Sequence, residues 1–237
     1  MIRVAVIGVG GRMGSLVAKL VGQTTDLRVE VATEQAGQPL VGKVLDLPGN
    51  PTVVDGLAMD LGTVDAVVDF TVPNCTMSVL QQAQLKKCAT VVGTTGFSPD
   101  QMSEIYRIAQ DIPVLLSPNM SIGVNMFFRT VHDLAKRLDG YDIEVIELHH
   151  RHKKDAPSGT AKRIIEMLGE EVPCHSLRMG GIVGEHQVHF AGNGERITLT
   201  HQAESRETFA QGALLAIRFI CRQTPGLYTM FDVLDAL

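Results

Sequence analysis

The chain has 237 residues, enough for one large domain or two modest ones whose cores need neither disulfides nor a metal for stability. Its formal net charge of −5 excludes a general electrostatic attraction to nucleic acid or to an anionic membrane surface. Its apolar runs stay short of the ~20 residues that a membrane-spanning helix requires. Any anionic ligand must therefore be bound by a local site.

The cysteines and the N-terminal sequence indicate a cytoplasmic chain. Cys75, Cys88, Cys174 and Cys221 are scattered without a C-x-x-C pair. The first residues form a strand-like run and lack the charged segment and long apolar core of a signal peptide. Because disulfides follow the redox compartment, we expect reduced thiols.

The first half alternates short apolar runs with segments of helical period, a pattern typical of βαβ units around a parallel sheet. The predicted strands are residues 3–7, 27–33, 66–72, 89–94 and 113–117. The predicted helices are residues 15–23, 77–87 and 100–110. This order predicts an α/β fold with a doubly wound, Rossmann-type parallel sheet.

The pattern changes after residue 121. A helix is predicted over 124–138, a strand over 143–150 and further helices over 160–168 and 211–223. Residues 179–184 are rich in glycine, and residues 185–204 alternate in the manner of strands around a Gly192-Asn193-Gly194 turn. This half therefore predicts a second, mixed α/β domain with an antiparallel edge.

A glycine-rich turn follows the first predicted strand. Gly8, Gly11 and Gly14 fit G-x-x-G-x-x-G, whereas the more familiar G-x-G-x-x-G would need glycine where Met13 stands. A strand, a glycine turn and a helix in this order make a phosphate site, because the helix N-terminus offers unpaired N–H donors. Glu34, at the end of the second strand, could accept hydrogen bonds from the ribose hydroxyls of NAD, or it could be an exposed loop acid.

Two later loops also fall at the carboxyl ends of predicted strands, where ligands bind in open α/β sheets. They are Gly93-Thr94-Thr95-Gly96 and Ser117-Pro118-Asn119-Met120. Both could contact the cofactor, although glycine, proline, asparagine and serine also dominate ordinary turns.

The densest chemistry lies between Glu147 and Ala161. His149 can exchange a proton near neutral pH and is a candidate general acid or base, although a lone histidine would more often be a core residue. Lys153 supplies a cation that could bind a carboxylate or stabilise developing negative charge. An anionic substrate is the partner that this segment indicates.

The start of the next helix could bind a second carboxylate. Ser158, Gly159 and Thr160 present two hydroxyls and several free amides, although Ser158 could also be a plain N-cap.

A metal site is the alternative interpretation of the histidines. His150 and His152 would share a strand face, but Arg151, Lys153 and Lys154 raise the cost of placing a divalent ion there. No third ligand with recognisable spacing follows, so we predict no metal. The other histidines, at positions 132, 175, 186, 189 and 201, carry no spacing signal and are interpreted as surface or sheet residues.

Together these motifs resemble the 4-hydroxy-tetrahydrodipicolinate reductase (dihydrodipicolinate reductase) family of the diaminopimelate route to lysine. The similarity runs essentially end to end and rests above all on the segment that begins at Glu147. The other motifs that carry it are Gly8-x-x-Gly11-Arg12-Met13-Gly14, Asp69-Phe70-Thr71, Gly93-Thr94-Thr95-Gly96, Asn119-x-Ser121-x-Gly123-Val124-Asn125, Gly192-Asn-Gly-Glu-Arg196, Ser205-Arg206 and Phe231-Asp-Val-Leu.

The resemblance implies a dinucleotide-binding domain from residues 1–120 and 207–237, with an inserted domain, 121–206, that binds substrate and builds a homotetramer. It implies hydride transfer from NAD(P)H to a cyclic imine dicarboxylate, with His149 as proton donor or acceptor and Lys153 as a second proton donor. The implied substrate contacts are His150, Lys153, Ser158, Gly159 and Thr160. The implied cofactor contacts are Gly8, Val9, Gly10, Gly11, Arg12, Met13, Glu34, Gly93, Thr94, Thr95, Ser117, Pro118, Asn119 and Met120.

Two positions depart from the family pattern. Many relatives carry arginine where Gln35 follows the ribose-binding acid, and many carry an aromatic residue where Met120 stands. Glu34 would repel the 2′-phosphate of NADPH, while Arg12 could partly offset that repulsion. We expect NADH to be preferred and NADPH also to be accepted.

Two other functions compete with this one. A nicotinamide-sensing binding module could keep the fold without turnover. Another dehydrogenase of small amino-acid precursors could share the site, and it would differ in not requiring two substrate carboxylates.

Overall fold

The computed structural model describes residues 1–56 and 59–237. In chain order the described strands are β1 (Ile2–Ile7), β2 (Leu27–Glu34), β3 (Val53–Asp55), β4 (Ala66–Asp69), β5 (Ala89–Val92), β6 (Pro113–Leu116), β7 (Asp142–His149), β8 (Cys174–Arg178), β9 (Gly184–Gly192), β10 (Glu195–Ala203) and β11 (Gly226–Tyr228). The described helices are α1 (Arg12–Gly22), α2 (Pro73–Lys86), α3 (Pro99–Ile108), α4 (Ile122–Ala135), α5 (Gly159–Leu168), α6 (Glu207–Ile220) and α7 (Met230–Asp235).

Unit 1 comprises Met1–Ser121 and Phe209–Leu237 and is built on a parallel sheet in the order β11-β6-β5-β4-β1-β2-β3. All four residues of β4 and all four of β5 are buried, as expected for central strands covered by helices on both faces. Helix α6 packs very close to the end of the first segment, because a Cβ atom on Gly212 would lie 1.7 Å from the carbonyl oxygen of Met120.

Unit 2 comprises Ile122–Thr208 and contains a four-stranded sheet in the order β10-β9-β7-β8. β7 pairs with β8 in parallel and with β9 in antiparallel, and β9 pairs with β10 in antiparallel. Helix α5 packs against β7 and α4. The core of this unit includes Val145, Ile164 and Phe190, all fully buried.

The predicted fold class is confirmed: a Rossmann-type parallel sheet is accompanied by a second, mixed sheet. The predicted Gly192-Asn193-Gly194 turn joins β9 to β10, with Gly194 at a φ of +99°. The sequence interpretation missed β3, β8, β11 and α7, which have three to six residues each and carry no long periodic signal.

Several predicted boundaries were wrong. Three helices begin and end earlier than predicted: α2 is Pro73–Lys86 and not 77–87, α4 is Ile122–Ala135 and not 124–138, and α6 is Glu207–Ile220 and not 211–223. Helix α1 begins at Arg12 and not at residue 15, so Gly14 lies inside the helix, where a Cβ atom would approach the carbonyl oxygen of Gly8 to 2.1 Å. Strand β4 ends at Asp69 and not at residue 72, because the Asp69 carboxylate accepts a hydrogen bond from the N–H of Thr71 at 2.7 Å and turns the chain towards α2.

All four cysteines are free thiols. Within the described ranges, every helix is too short or too polar to span a bilayer.

Candidate active site

The glycine turn after β1 exposes backbone amides at the start of a helix. Gly8 adopts a φ of +71°, which favours glycine, and the N–H of Gly11 closes the turn onto the carbonyl oxygen of Gly8 at 3.0 Å. Gly11 is the N-cap of α1 and makes no side-chain capping bond. The N-cap therefore leaves the first amides of α1 without a side-chain capping bond, as an anion site requires.

Glu34 lies directly against this turn. One carboxylate oxygen accepts a hydrogen bond from the N–H of Gly10 at 2.7 Å and the other accepts one from the N–H of Gln35 at 2.8 Å. A Cβ atom on Gly10 would lie 2.6 Å from the Glu34 carboxylate, so only glycine permits this approach. The carboxylate is thus held at the end of β2.

A cavity of about 540 Å³ opens beside this carboxylate. Its walls include Gly8, Glu34, Gln35, Asp55, Thr71 and Cys75. A cavity of this size, lined by the first glycine of the turn and by the Glu34 carboxylate, fits part of a dinucleotide.

The other predicted cofactor loops lie at the carboxyl ends of neighbouring strands. Gly93 follows β5, where a Cβ atom would lie 2.1 Å from the ring of Phe70. Thr94 is buried and accepts a hydrogen bond from the hydroxyl of Thr76 at 2.9 Å, whereas Thr95 is exposed. Gly93 therefore keeps this loop close to the loop after β4.

The loop after β6 is held by its own polar groups. The Ser117 hydroxyl donates to the carbonyl oxygen of Asn119 at 2.8 Å, and the Asn119 side chain accepts from the N–H of Ser121 at 2.9 Å. Pro118 is exposed and Met120 is buried. Arg12 is exposed and Met13 half-buried in the first turn of α1.

In unit 2, one face of the sheet carries the proton-exchanging residues. Glu147 and His149 are two residues apart on β7 and share a face. His149 pairs in register with Arg178 on β8, and Glu147 pairs with His186 on β9. The sheet register thus brings together side chains that are far apart in sequence.

Glu147 is fully buried and hydrogen-bonded on both carboxylate oxygens. Arg178 donates to the two oxygens at 2.9 and 2.6 Å, in a bidentate pair. Oε1 also accepts from the N–H of Ser158 at 3.3 Å, and Oε2 bonds to Nδ1 of His149. Burial opposes the charge of Glu147, but the hydrogen bonds from Arg178, Ser176 and His149 outweigh it and lower the pKa of Glu147 to about 2.

The two buried imidazoles are held in neutral form. Burial lowers the pKa of His149, although Glu147 favours its charged form. Burial, together with the neighbouring His149, lowers the pKa of His186 to about 3. The two rings meet edge to face with centroids 5.3 Å apart.

Lys153 and Asp155, which follow His149 in the chain, form an ion pair. The Lys153 Nζ lies 2.9 Å from the Asp155 carboxylate, and this hydrogen bond lowers the pKa of Asp155. The Lys153 side chain is 22% exposed, so its cation is partly withdrawn from water.

His150 is half-buried and His152 exposed, with ring centroids 6.4 Å apart. In the part of the chain that the structure describes, no group of three or more candidate ligands is placed to hold a metal ion.

Ser158 is the N-cap of α5 and also belongs to the buried cluster. Its hydroxyl oxygen accepts from the N–H of Ala161 at 3.2 Å and lies 3.1 Å from Nε2 of His186. Since His186 is neutral, the hydroxyl can donate to this nitrogen. Gly159 and Thr160, the first residues of α5, are more exposed.

Sequence reasoning missed two members of this cluster. His186 was interpreted as a surface or sheet residue. It lies on β9, but nothing in its spacing indicated that it is buried beside His149. Arg178 lies on the missed strand β8. A signal was present in the alternation of Cys174-His175-Ser176-Leu177-Arg178, which puts a cation and two small polar residues on one face.

Two family models match the chain. The model described as dihydrodipicolinate reductase, N-terminus, matches residues 2–120, and the one described as dihydrodipicolinate reductase, C-terminus, matches residues 123–234. The chain belongs to the dihydrodipicolinate reductase family. The family predicted from the histidine segment is therefore confirmed, and members of this family use a pyridine nucleotide as cofactor.

Individual members of the family are similar over nearly the whole length. The 4-hydroxy-tetrahydrodipicolinate reductase of Anaeromyxobacter dehalogenans is 42% identical, covering 99% of this chain and 98% of its own. The enzyme of the same name from Methanocaldococcus jannaschii is 41% identical, covering 99% and 97%. A solved structure, the dipicolinate-bound dihydrodipicolinate reductase from Paenisporosarcina sp. TG-14, is 25% identical with a TM-score of 0.79, covering 97% of both chains.

A more distant structure shares the fold alone. An amine dehydrogenase from Mycobacterium smegmatis superposes with a TM-score of 0.71 at 13% identity, covering 97% of this chain and 95% of that one.

Proposed function

We propose that this protein is a 4-hydroxy-tetrahydrodipicolinate reductase of the diaminopimelate route to lysine. The reaction adds one hydride and one proton to the substrate, releases water and yields tetrahydrodipicolinate and NAD(P)⁺. The observation that carries the proposal is the buried Glu147–His149 pair, in a chain that matches the reductase family from residue 2 to residue 234. This pair offers a proton carrier of the kind that the reaction needs.

Unit 1 is the proposed cofactor domain. The uncapped amides at the start of α1 bind the pyrophosphate, and Glu34 accepts hydrogen bonds from the adenosine ribose. The loops that contain Gly93–Thr95 and Ser117–Met120 lie at the carboxyl ends of β5 and β6, where such folds bind ligands. When bound, NAD(P)H supplies the hydride.

His149 is the proposed proton donor. A conjugated imine that has received a hydride is an electron-rich enamine and must be protonated. Burial lowers the pKa of His149, so the imidazole of the free protein is neutral near neutral pH. A dianionic substrate beside it favours the imidazolium, so binding of the substrate promotes uptake of the proton that is then transferred.

Lys153 is the proposed second cation of the reaction. Its side chain is 22% exposed and its ammonium group is paired with Asp155, so the cation is held in place and can bind a substrate carboxylate or stabilise developing negative charge. It also carries protons that it can donate.

The N-terminus of α5 is the proposed site of a substrate carboxylate. Gly159 and Thr160 offer backbone amides and a hydroxyl at the positive end of the helix. The hydroxyl of Ser158 is bonded to His186 and Ala161, which supports a role in holding this turn; Ser158 is also a proposed substrate contact. His150 completes the proposed substrate contacts. Lys153 and the N-terminus of α5 can each bind one carboxylate, which supports a dicarboxylate substrate.

NADH is the proposed preferred cofactor, with NADPH also accepted. The Glu34 carboxylate lies at the edge of the cavity, where it would repel a 2′-phosphate, and Gln35 beside it is neutral. Arg12, exposed in the first turn of α1, can reach a phosphate and offset part of this repulsion.

A homotetramer joined through the sheets of unit 2 is the proposed assembly. β10 is an edge strand and is exposed along most of its length, so a partner could cover it. A monomeric mass by light scattering at micromolar concentration would reject the tetramer.

A cytoplasmic location agrees with four free thiols and with a biosynthetic role.

The deciding experiment follows the absorbance of NADH with substrate generated enzymatically just before the assay. Cofactor oxidation should occur with the parent protein and require both substrate carboxylates. Binding of NADH without turnover would instead favour a nucleotide-sensing module. Equal turnover of a substrate with one carboxylate would favour a different dehydrogenase.

A further inference from the structure

The Glu147 carboxylate bonds to His149, Arg178 and the N–H of Ser158, and of these three only His149 is a proposed proton carrier. The carboxylate is fully buried, so neither substrate nor solvent reaches it in this structure. One oxygen accepts from Arg178 and Ser158, and the other accepts from Arg178 and bonds to Nδ1 of His149. Its contribution to the reaction must therefore act through the residues that it contacts, and His149 is the one that exchanges a proton.

The pair fixes which nitrogen of His149 can react. An ionised carboxylate accepts hydrogen bonds only, so Nδ1 must carry a hydrogen and donate it to Glu147. The proton that the imidazole gains and loses is then on Nε2. A Cβ atom on Gly184 would lie 3.1 Å from Nε2, so the glycine keeps the space beside this nitrogen open.

Arg178 fixes the carboxylate in turn. Its two N–H groups engage both oxygens, and one of them also donates to the carbonyl oxygen of Asp155 at 2.7 Å. This arginine therefore joins β8, the buried carboxylate of β7 and the segment that carries Lys153. Its positive charge also limits how strongly Glu147 stabilises the imidazolium.

We propose that Glu147 and Arg178 are positioning residues for His149, which hold it with Nε2 facing the substrate and balance its protonation by opposing charges. This inference rests on the proposed function only for the role of His149 in turnover; the effect on the imidazole itself is a property of the free protein. The charged and titratable groups around the His149 ring are Glu147 on the same strand, Arg178 on β8, His186 on β9, and Lys153 and Asp155 on the following segment.

Opposite shifts in titration are the test of this inference. Glu147→Gln leaves Arg178 uncompensated, so protonation of His149 should move to lower pH, by about 1 pH unit. Arg178→Met leaves Glu147 uncompensated, so protonation should move to higher pH by a similar amount. The measurement is NMR titration of the His149 ring in the free protein, together with the pH profile of kcat/KM.

The tautomer provides a second readout. Nitrogen chemical shifts of the His149 ring should report hydrogen on Nδ1 alone in the parent, and a mixture of the two tautomers in Glu147→Gln. The kcat/KM of this variant should fall by about 10- to 100-fold, with NADH affinity unchanged. If Glu147 only stabilised the fold, Glu147→Gln would change neither the tautomer of His149 nor the pH at which His149 is protonated.

The matched control is Glu144→Gln. Glu144 is also on β7 and bonds to a histidine of β8, His175, at 3.1 Å, but both side chains are exposed. This variant should leave the titration of His149 and kcat/KM unchanged. If Arg178→Met is poorly folded, Arg178→Lys keeps the charge and loses the bidentate bond, and it should keep the titration near that of the parent while kcat/KM falls.

Shifts in the same direction for Glu147→Gln and Arg178→Met, or no shift in either folded variant, would overturn the inference. If the opposite shifts appear but the parent turns over no dicarboxylate imine, the proposed function fails and the positioning of His149 stands.

Discussion

Glu34 in unit 1 and Glu147 in unit 2 both accept hydrogen bonds from backbone N–H groups, but they differ in what their charge can reach. Glu34 lies at the end of β2 on the wall of a cavity, bonded to the amides of Gly10 and Gln35. Glu147 is fully buried and bonded to Arg178 and His149. A ligand can contact the Glu34 carboxylate directly, whereas the Glu147 carboxylate acts only through the residues that it contacts.

This difference separates the consequences of mutation. Changes around Glu147 should alter stability and proton chemistry, because a buried charge that loses a partner is costly. Changes around Glu34 should alter the choice of ligand and little else, because water and ligands can replace the lost contacts.

Loss of the Arg178 cation should have the largest effect. Arg178→Met leaves the buried Glu147 carboxylate without its bidentate partner, and we expect the free energy of unfolding to fall by about 3–5 kcal/mol near neutral pH. Denaturant unfolding of the two proteins at equal concentration measures this difference.

A matched exposed pair serves as its control. Arg107 forms an i,i+3 pair with Glu104 on α3, and both side chains are accessible to solvent. Arg107→Met should lower the free energy of unfolding far less than Arg178→Met does, because solvent screens the exposed pair. Equal losses in the two variants would show that burial of Glu147 does not determine the cost.

Removal of the His149 imidazole should come next. His149→Gln removes the proton donor but keeps a polar side chain, so kcat/KM should fall by about 10²–10³ while NADH affinity stays near that of the parent. Steady-state kinetics and NADH fluorescence titration measure the two quantities. His175→Gln, on an exposed histidine, is the control. Retention of more than about a third of the activity would contradict a proton-transfer role.

The buried His186 should make stability depend on pH. Its pKa is lowered to about 3, mainly by burial, whereas an unfolded histidine titrates at about 6.5. Between these values the unfolded chain binds a proton that the native state does not, so the free energy of unfolding falls as the pH falls through this window.

The variant His186→Gln isolates this contribution. Between about pH 7 and about pH 5 the parent should lose about 2 kcal/mol more stability than the variant, since the amide does not titrate. His149 changes stability in the same direction in both proteins, and Glu147, with its pKa near 2, stays ionised throughout this range. Parallel pH profiles for parent and variant would mean that His186 is charged in the native state.

The parallel sheet could be predicted because its strands carry strong local signals. The runs that became β1, β2, β4, β5 and β6 are apolar and bounded by turns, and the glycine turn after β1 has a recognisable spacing. The edge strands β3 and β11 have three residues each, and their pairing is decided by the neighbouring strands. Sequence patterns of that length carry too little information.

The buried cluster could be predicted only in part for a similar reason. His149, Lys153 and Ser158 lie close together in sequence, so their chemistry is visible as one segment. Arg178 and His186 come from the later strands β8 and β9, and only the register of the sheet brings them to Glu147. The hydroxyl of Ser158 was expected at the substrate, but its bond to His186 depends on that same register.

The smallest expected effect concerns Glu34, the carboxylate of the two that a ligand can contact. Gln35→Arg places a cation beside the Glu34 carboxylate, at the edge of the cavity that would hold the adenosine ribose. A guanidinium there can bind a 2′-phosphate bidentately and neutralise the repulsion from Glu34. The ratio of kcat/KM for NADH over NADPH should exceed one in the parent and fall several-fold in the variant, with the free energy of unfolding changed by less than about 0.5 kcal/mol. Lys43→Arg serves as the control, because it retains an exposed cation elsewhere in unit 1 and should leave the ratio unaltered. A parent that already prefers NADPH by about tenfold would mean that another cation, such as Arg12, outweighs Glu34 at the 2′-position.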